Sequence, residues 1–272
     1  MSNTIKFFFS YLFFSIGFIV NAQNVLKEFP VFNSSERITY KAAYNWGFLW
    51  IKAGHVEFNI SETKYKNQDV YHFYCFGRSL PSYDWIFKVR DSFQSYTSKE
   101  NFHPLYYTRN TFENGYKVQN SFEFDYGKNL IYSKTQNTYR GYKADTLEFR
   151  NKIYDVVSGV YLVRNLDFSK YQINDIIPIK MIIDNEIFNL YIRYLGRETI
   201  KTYDKRIFKT IKISALLIEG TIFKGGEDLL VWISDDLNRV PVLVEAKILV
   251  GSVKAMLDST VNLKYPLNSE LK

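Results

Sequence analysis

The chain has 272 residues, with 35 Lys and Arg against 28 Asp and Glu and a formal net charge of +7. The charges are interspersed, which argues against the clustered basic surface that nucleic-acid binding needs. Aromatic residues reach 18% of the chain, a composition that favours strands and large apolar contacts. All-β chains of this length often form one domain, and no linker divides this one.

The first 22 residues predict a cleaved secretory signal peptide. Lys6 precedes an apolar run at 7–20, and Val20-Asn21-Ala22 has the small-residue pattern of a cleavage site. The run is shorter than the roughly 20 residues that a membrane-spanning helix needs. We therefore expect cleavage before Gln23, export, and no transmembrane span in the mature chain 23–272.

Alternating apolar and polar residues predict strands from the start of the mature chain onward. Residues 38–44 and 56–60 give the first two, and 70–76 is apolar on both faces, as in a strand that is covered on both sides. After a break around Pro81, residues 85–96 predict a fourth strand. There the carboxylate of Asp91 shares the phase of Phe87, Val89 and Phe93 and is expected to face the core, unless a bulge resets the register.

The Asn114-Gly115 pair predicts a two-residue hairpin between strands at 105–112 and 118–126. Shorter strands follow at 130–134 and 144–149. Residues 155–165 predict the one convincing helix, because apolar residues recur there at helical spacing and Asp155 can cap its N terminus.

Strand patterns resume at 177–184, 187–194, 198–202 and 207–217, and residues 184–186 are predicted to link the first two of these as a hairpin. The stretch 216–265 reads as an antiparallel meander with a turn at 235–241. The whole pattern predicts an all-β protein. We expect one strongly curved antiparallel sheet, or an open β-barrel, with one short helix packed on it.

The usual signatures of enzymes and metal sites do not occur in the sequence. Three histidines and one cysteine cannot meet common metal spacings, and no nucleophile elbow, phosphate loop or dinucleotide glycine pattern is present. The sequence therefore predicts no metal, no cofactor and no catalytic residue, and an enzyme is the less expected class.

Asp91 and Glu219 stand out, because each occupies a position at which the alternating pattern otherwise has apolar residues. A buried carboxylate needs a cationic or donor partner, and Arg90, Lys88 and Lys224 are candidates. Each carboxylate can be read as a structural ion pair or as part of a ligand or catalytic site. The four tryptophans can likewise be core or rim aromatics or a binding platform. The candidate ligand-binding residues are Tyr44, Trp46, Trp85, Arg90, Asp91, Val157, Tyr161, Glu219, Lys224 and Trp232.

Several stretches of the sequence resemble the bacterial family called domain of unknown function 3108. They are 40–54 (YKAAYNWGFLWIKAG), 82–91 (SYDWIFKVRD), 155–168, 190–196 and 219–242 (EGTIFKGGEDLLVWISDDLNRVPV). The resemblance implies an exported protein of a Gram-negative bacterium, often of the Bacteroidota, located in the periplasm or at the outer membrane. It implies no established activity. More weakly, 232–242 is similar to the sheet of periplasmic lipoprotein carriers, which hold acyl chains between a curved sheet and a helix.

Three functions are compatible with this sequence. The leading hypothesis is a non-enzymatic envelope protein that holds an apolar or amphipathic ligand such as a lipid, in a cavity of about 300 Å³ or more beside the helix. We expect Val157, Tyr161, Tyr44 and Trp232 to wall that cavity, with Asp91 or Glu219 near its mouth. The second is an interaction module that contacts an envelope partner through an edge strand. The third is a hydrolase that uses Asp91 and Glu219.

Overall fold

The computed structural model describes residues 30–46, 49–217, 226–247 and 252–271, so the predicted signal peptide lies outside the described residues. Fifteen strands and one α-helix are present in these ranges. The strands are β1 Arg37–Trp46, β2 Leu49–Tyr65, β3 Gln68–Ser79, β4 Val89–Ser98, β5 Pro104–Glu113, β6 Tyr116–Asp125, β7 Leu130–Asn137, β8 Lys143–Glu148, β9 Ile176–Ile183, β10 Glu186–Lys201, β11 Ile207–Leu217, β12 Gly226–Ser234, β13 Pro241–Lys247, β14 Ser252–Val261 and β15 Glu270–Leu271. The helix α1 spans Val156–Arg164 and lies between β8 and β9 in the chain.

All the strands belong to one antiparallel sheet. Its order is β8-β7-β6-β5-β4-β3-β2-β1-β14-β13-β12-β11-β10-β9, and β15 pairs with β11. Since β8 and β9 stand at opposite ends of this path, the sheet is not closed into a barrel. This confirms the predicted all-β fold with one strongly curved open sheet and one helix.

Side chains at the β9–β10 turn reach strands near the other end of the path, which shows how far the sheet curls. Asp184 accepts hydrogen bonds from Arg109 of β5 and Asn120 of β6, and Asn185 donates to Asp145 of β8. The two halves of the sheet therefore approach each other, and they enclose an inner face.

Turn residues with positive φ set the hairpins. Asn114 and Gly115 have φ of 47° and 97°, and Asp184 and Asn185 have φ of 47° and 71°. Positive φ at both central residues is the geometry of the two-residue turn that matches strand twist. Both predicted hairpins are confirmed.

Three predicted strands differ from the structure in their bounds. The predicted strand at 85–96 begins only at Val89, because Pro81–Tyr83 form a 3₁₀ turn and the backbone N–H groups of Ile86 and Phe87 donate to the Tyr83 carbonyl. The strands predicted separately at 187–194 and 198–202 form the single strand β10, which continues past an irregularity at Gly196 where φ is +98°.

The predicted N-cap of the helix is confirmed. Oδ1 of Asp155 accepts hydrogen bonds from the backbone N–H groups of Val157 and Ser158 at 2.9 Å, and Oγ of Ser158 accepts from the Asp155 N–H at 3.0 Å. This reciprocal pair satisfies two of the free donors at the helix start. Among the described residues, no helix is long and apolar enough to cross a membrane.

Aromatic rings fill the space between α1 and strand β3. The rings of Tyr161 and Phe73 stack with centroids 3.9 Å apart, and the edge of Phe32 contacts both at 5.3 and 5.5 Å. Val157 in the same cluster is 2% exposed. The space that we expected to form a cavity beside Val157 and Tyr161 is therefore occupied by side chains.

Candidate functional site

The inner face of the sheet is the face that carries α1, and it can be followed strand by strand from β11. Ile211 and Ile213 are buried in one cluster with Leu162 and Leu166, on α1 and just after it. Alternate residues of a strand lie on the same face, so Ala215 continues the inner face one step farther from α1. Residues that pair across neighbouring strands lie side by side on the same face. We call such a line of paired residues, which crosses the strands, a row.

Three neighbouring rows on this face differ in how they are covered. The row nearest α1 is almost completely buried and comprises Ile211, Ile233, Val242, Leu257 and Tyr40. Beyond it come two partly exposed rows made of opposed apolar residues. One runs from Ile213 through Val231, Val244 and Ala255 to Ala42, and the other runs through Ala215, Leu229, Ala246, Val253 and Tyr44.

We call the partly exposed members of these two rows the inner trough. They are Ala42, Tyr44, Ala215, Leu229, Val231, Val244, Ala246, Val253 and Ala255. These side chains are neither buried nor fully exposed, and they lie side by side across five strands, so the trough is a contiguous apolar surface that stays partly accessible to water. Contiguous exposed apolar surface of this kind marks interaction or ligand sites.

The inner face becomes polar toward β4, β5 and β6. Asp91 lies two residues from Phe93, whose ring packs against the aromatic cluster, and is paired with Gly77 of β3. Its Oδ1 accepts a hydrogen bond from the backbone N–H of Phe112 at 3.2 Å. Burial raises the pKa of the Asp91 carboxyl to about 6, and the nearby charge of Glu113 adds to the rise.

An ion pair stands farther along this polar side. The Arg109 guanidinium contacts the carboxylate of Asp184 at 2.6 Å, and Nδ2 of Asn120 donates to the same oxygen at 3.1 Å. The guanidinium also lies 6.0 Å from the Phe93 ring centroid. The inner face thus combines an aliphatic side with a side that offers carboxylates and hydrogen-bonding groups, which suits an amphipathic molecule.

A braced loop projects from the end of the sheet where the trough lies. Residues 80–88 join β3 to β4 and expose Trp85, Ile86 and Phe87 by 82%, 54% and 50%. The Asp84 carboxylate accepts from the Arg90 guanidinium at 2.5 Å and from Ser79, whose hydroxyl also accepts from the Val89 N–H at 2.9 Å. The Arg90 guanidinium and a hydrogen bond from Ser79 hold the pKa of the Asp84 carboxyl below its usual range.

A further shallow concavity of about 220 Å³ lies on strands β5 to β7. Its lining residues are Thr108, Asn110, Gln119, Asn120, Ser121, Lys134, Thr135, Gln136 and Tyr142. It is smaller than the pockets that hold apolar ligands. Within the described ranges, no three His, Cys, Asp or Glu side chains gather as metal ligands.

The candidate residues predicted from sequence separate into several places. Tyr44 lines the inner trough, Asp91 lies on the polar side, and Trp85 lies in the exposed loop. Arg90 pairs with Asp84, and the donor to Asp91 is the Phe112 N–H. Val157 and Tyr161 belong to the packed aromatic cluster. Glu219, Lys224 and the side chain of Trp46 lie outside the described part of the chain.

Trp232 lies on the opposite face of the sheet from the trough. It pairs with Lys212, which alternates with Ile211 and Ile213, and so faces away from α1. Its Nε1 donates to Glu198 at 2.5 Å, and the Lys212 ammonium stands 4.9 Å from the ring centroid.

Sequence reasoning missed the small aliphatic residues of the trough. Their alternation at 242–255 predicted the strands but not which rows would be left uncovered.

Comparisons with known proteins agree with this fold. The family model described as "Protein of unknown function (DUF3108)" matches residues 38–258. The chain is also similar to the crystal structure of a β-barrel-like protein of domain of unknown function DUF1849 from Brucella abortus, with a TM-score of 0.51 and 8% identity over 84% of this chain and 98% of that chain. At that identity the likeness shows the fold alone. The comparison with curated proteins finds no match. Since the family model extends from β1 into β14, this chain belongs to the DUF3108 family.

Proposed function

We propose that this protein is an exported, non-enzymatic binding protein that holds an apolar or amphipathic ligand, such as a lipid, in the inner trough. The proposal rests on the difference in burial between neighbouring rows of the inner face. Leu257 is 2% exposed in a cluster with Val240 and Val242, whereas Ala255 and Val253 on the same strand and face are only partly buried. A ligand that covers the two outer rows would complete their burial.

The size of the trough agrees with an acyl chain. Its rows cross the five strands β1, β14, β13, β12 and β11, and neighbouring strands lie about 4.8 Å apart, so a row is roughly 19 Å long. Burial contributes about 0.8 kcal/mol per methylene group. Ten buried methylenes therefore supply about 8 kcal/mol, which is of the order of the free energy of micromolar binding before the entropic cost of association is subtracted.

The protonation state of Asp91 makes the interaction of the polar side with such a ligand depend on pH. With a pKa of about 6, its carboxyl donates a hydrogen bond when protonated and carries a negative charge at neutral pH. A neutral or cationic polar group therefore fits beside Asp91 at pH 7 better than a carboxylate does. This favours ligands whose headgroup is not purely anionic.

The edge-strand alternative has less support. In the described part of the sheet, β8 is an edge, but it is six residues long and carries Lys143, Asp145 and Glu148, features that oppose pairing with another strand. The β9 edge is partly covered, because Tyr154 exchanges backbone hydrogen bonds with Lys180 and Ile182. The hydrolase alternative pairs Asp91 with Glu219, which lies outside the described residues.

A fluorescent fatty-acid probe tests the proposal directly. We expect micromolar binding to the wild type and at least about tenfold weaker binding to Ala246→Trp, since the indole fills the trough between Leu229 and Val253. The matched control is Lys247→Trp, which places the same ring at the next residue on the exposed opposite face. Equal probe binding by both variants, or none by the wild type, would reject the trough as the site.

Export is a separate part of the proposal and rests on the signal-peptide pattern alone. N-terminal sequencing of protein from an envelope fraction should begin near Gln23. An intact Met1 on cytoplasmic protein would contradict it.

A further inference from the structure

Three connections between strands emerge from one edge of the sheet and are joined to each other. They are 80–88 after β3, 114–115 after β5 and 138–142 after β7, and they share an edge because adjacent strands alternate in direction. The N–H of Asn114 donates to the Lys88 carbonyl at 2.8 Å, and the N–H of Lys117 donates to the Thr138 hydroxyl at 2.7 Å. We call the aromatic and apolar side chains along this edge the aromatic rim: Trp85, Ile86, Phe87, Tyr116, Tyr139 and Tyr142.

The rim is unusually apolar for a surface. Trp85, Ile86 and Phe87 are consecutive and each at least half exposed, Tyr139 and Tyr142 are 82% and 63% exposed, and the Tyr139 ring stacks on Tyr116 with centroids 5.3 Å apart. Exposed Trp and Tyr beside basic residues are the composition of side chains that lie at a membrane–water interface. Three adjacent, exposed, large apolar side chains form the kind of surface patch that marks an interaction site.

Polar groups at the tip of the rim are satisfied within the loop. The indole N–H of Trp85 donates to the Ser82 carbonyl at 3.0 Å, and the N–H groups of Ile86 and Phe87 donate to the Tyr83 carbonyl at 2.9 and 3.1 Å. A backbone or indole donor that enters hydrocarbon without a partner costs several kcal/mol, and these three donors avoid that cost. The Asp84–Arg90 pair keeps the loop in this shape.

Basic side chains flank the apolar tip. The ammonium groups of Lys88 and Lys117 lie 5.9 and 6.0 Å from the Phe112 ring centroid, so both stand beside the rim. Of the carboxylates near this edge, Asp84 is bound to Arg90 and Asp145 is bound to Lys143, while Glu113 lies opposite Tyr116 and contributes a negative charge. Lysines beside an apolar tip attract anionic headgroups while the apolar side chains enter the interface.

We propose that the aromatic rim is a docking surface for a lipid bilayer that contains anionic headgroups. The Trp85 loop enters the interface, and the flanking lysines contact the headgroups. This places the edge of the sheet nearest the trough at the membrane surface. The docking itself does not require the trough to hold a ligand, so the two proposals can fail separately.

Co-sedimentation of the mature protein with lipid vesicles tests the docking. We expect the wild type to bind vesicles of phosphatidylcholine with phosphatidylglycerol, and to bind pure phosphatidylcholine more weakly. Trp85→Gln combined with Phe87→Gln should reduce binding to the anionic vesicles by about tenfold or more. The control is Ile173→Gln combined with Tyr203→Gln, which removes apolar side chains that are 64% and 69% exposed but lie outside the rim.

Charge is tested by Lys88→Gln combined with Lys117→Gln. This variant should lose the preference for anionic vesicles and become insensitive to added salt, while its binding to pure phosphatidylcholine stays unchanged. The proposal is overturned if the wild type sediments with neither vesicle or if the rim and control variants bind equally. It is also overturned if Trp85 is needed to capture a protein partner while vesicles are not bound. The rim variants should bind the fatty-acid probe like the wild type when no vesicles are present.

Discussion

Arg164 and Glu36 form a buried ion pair that joins the last turn of α1 to the segment before β1. Their side chains are 2% and 1% exposed, and the guanidinium contacts the two carboxylate oxygens at 2.5 and 3.0 Å. The same guanidinium donates to the backbone carbonyls of Arg239 and Asn238 at 3.2 and 3.0 Å. The pair therefore fixes the end of α1 against two distant parts of the chain.

Loss of one partner of this pair should be strongly destabilising. In Glu36→Gln the buried guanidinium loses its counter-charge, so we expect the free energy of unfolding to fall by about 3 to 5 kcal/mol in urea titrations. The control is Asp69→Asn, because Lys64 and Asp69 are 3.8 Å apart and about 70% exposed. That change should cost less than about 1 kcal/mol. Similar losses for the two variants would contradict the buried geometry.

Two glycines on neighbouring strands should differ in their tolerance of a methyl group. A Cβ at Gly54 would stand 2.7 Å from the backbone carbonyl oxygen of Arg78, whereas a Cβ at Gly77 meets only a Val56 methyl group at 3.8 Å. We expect Gly54→Ala to lower the free energy of unfolding by about 1 to 3 kcal/mol, since β2 and β3 must separate locally. Gly77→Ala should remain close to the wild type in the same thermal and urea unfolding measurements.

The raised pKa of Asp91 makes its contribution to stability depend on pH. Between its ordinary value of 3.8 and the folded value of about 6, the folded protein binds more protons than the unfolded chain. The favourable contribution is therefore complete below about pH 4 and lost as pH rises through 6. Asn stays neutral and keeps an oxygen for the Phe112 N–H.

We therefore expect Asp91→Asn to gain stability relative to the wild type between pH 4 and pH 7. Urea unfolding at the two pH values measures this difference. Asp155, whose pKa burial also raises to about 6, leaves part of the pH dependence in both proteins. Parallel pH profiles for wild type and variant would show that the Asp91 carboxyl is solvated.

The N-cap of α1 gives a fourth prediction. Asp155→Ala removes the acceptor for the Val157 and Ser158 N–H groups and for the Ser95 hydroxyl, which donates to Oδ2 at 2.6 Å. We expect it to lower the free energy of unfolding by about 2 kcal/mol. Asp155→Asn retains an oxygen acceptor and should lose less. The prediction fails if the two variants unfold at the same urea concentration.

Val157 was expected to wall a cavity beside the helix, but its side chain is 2% exposed and packed among rings. Val157→Trp should therefore destabilise the protein by overpacking, by about 1 to 3 kcal/mol in urea unfolding. If Val157→Trp kept wild-type stability and displaced the fatty-acid probe, the result would show that a cavity lies beside α1.

Local features of the sequence determined much of the fold by themselves. The Asn114-Gly115 turn follows from the positive φ that those residues accept, and the start of α1 follows from the side-chain oxygen of Asp155. Alternation likewise predicted the strands that became β13 and β14. Each of these depends on residues only a few positions apart, so the sequence shows them directly.

Only the tertiary structure decided which parts of the inner face are covered. Leu257 and Ala255 alternate identically along β14, but Leu257 is buried in a cluster with Phe208 and Val240, whereas Ala255 is only partly buried. The phase of Phe87 with Val89 predicted a strand, yet the 3₁₀ turn at 81–83 and the Asp84–Arg90 pair place the loop in solvent. Arg164 and Glu36 are 128 residues apart. Burial depends on contacts between distant segments, and a periodic pattern carries no information about which segment will arrive to cover it.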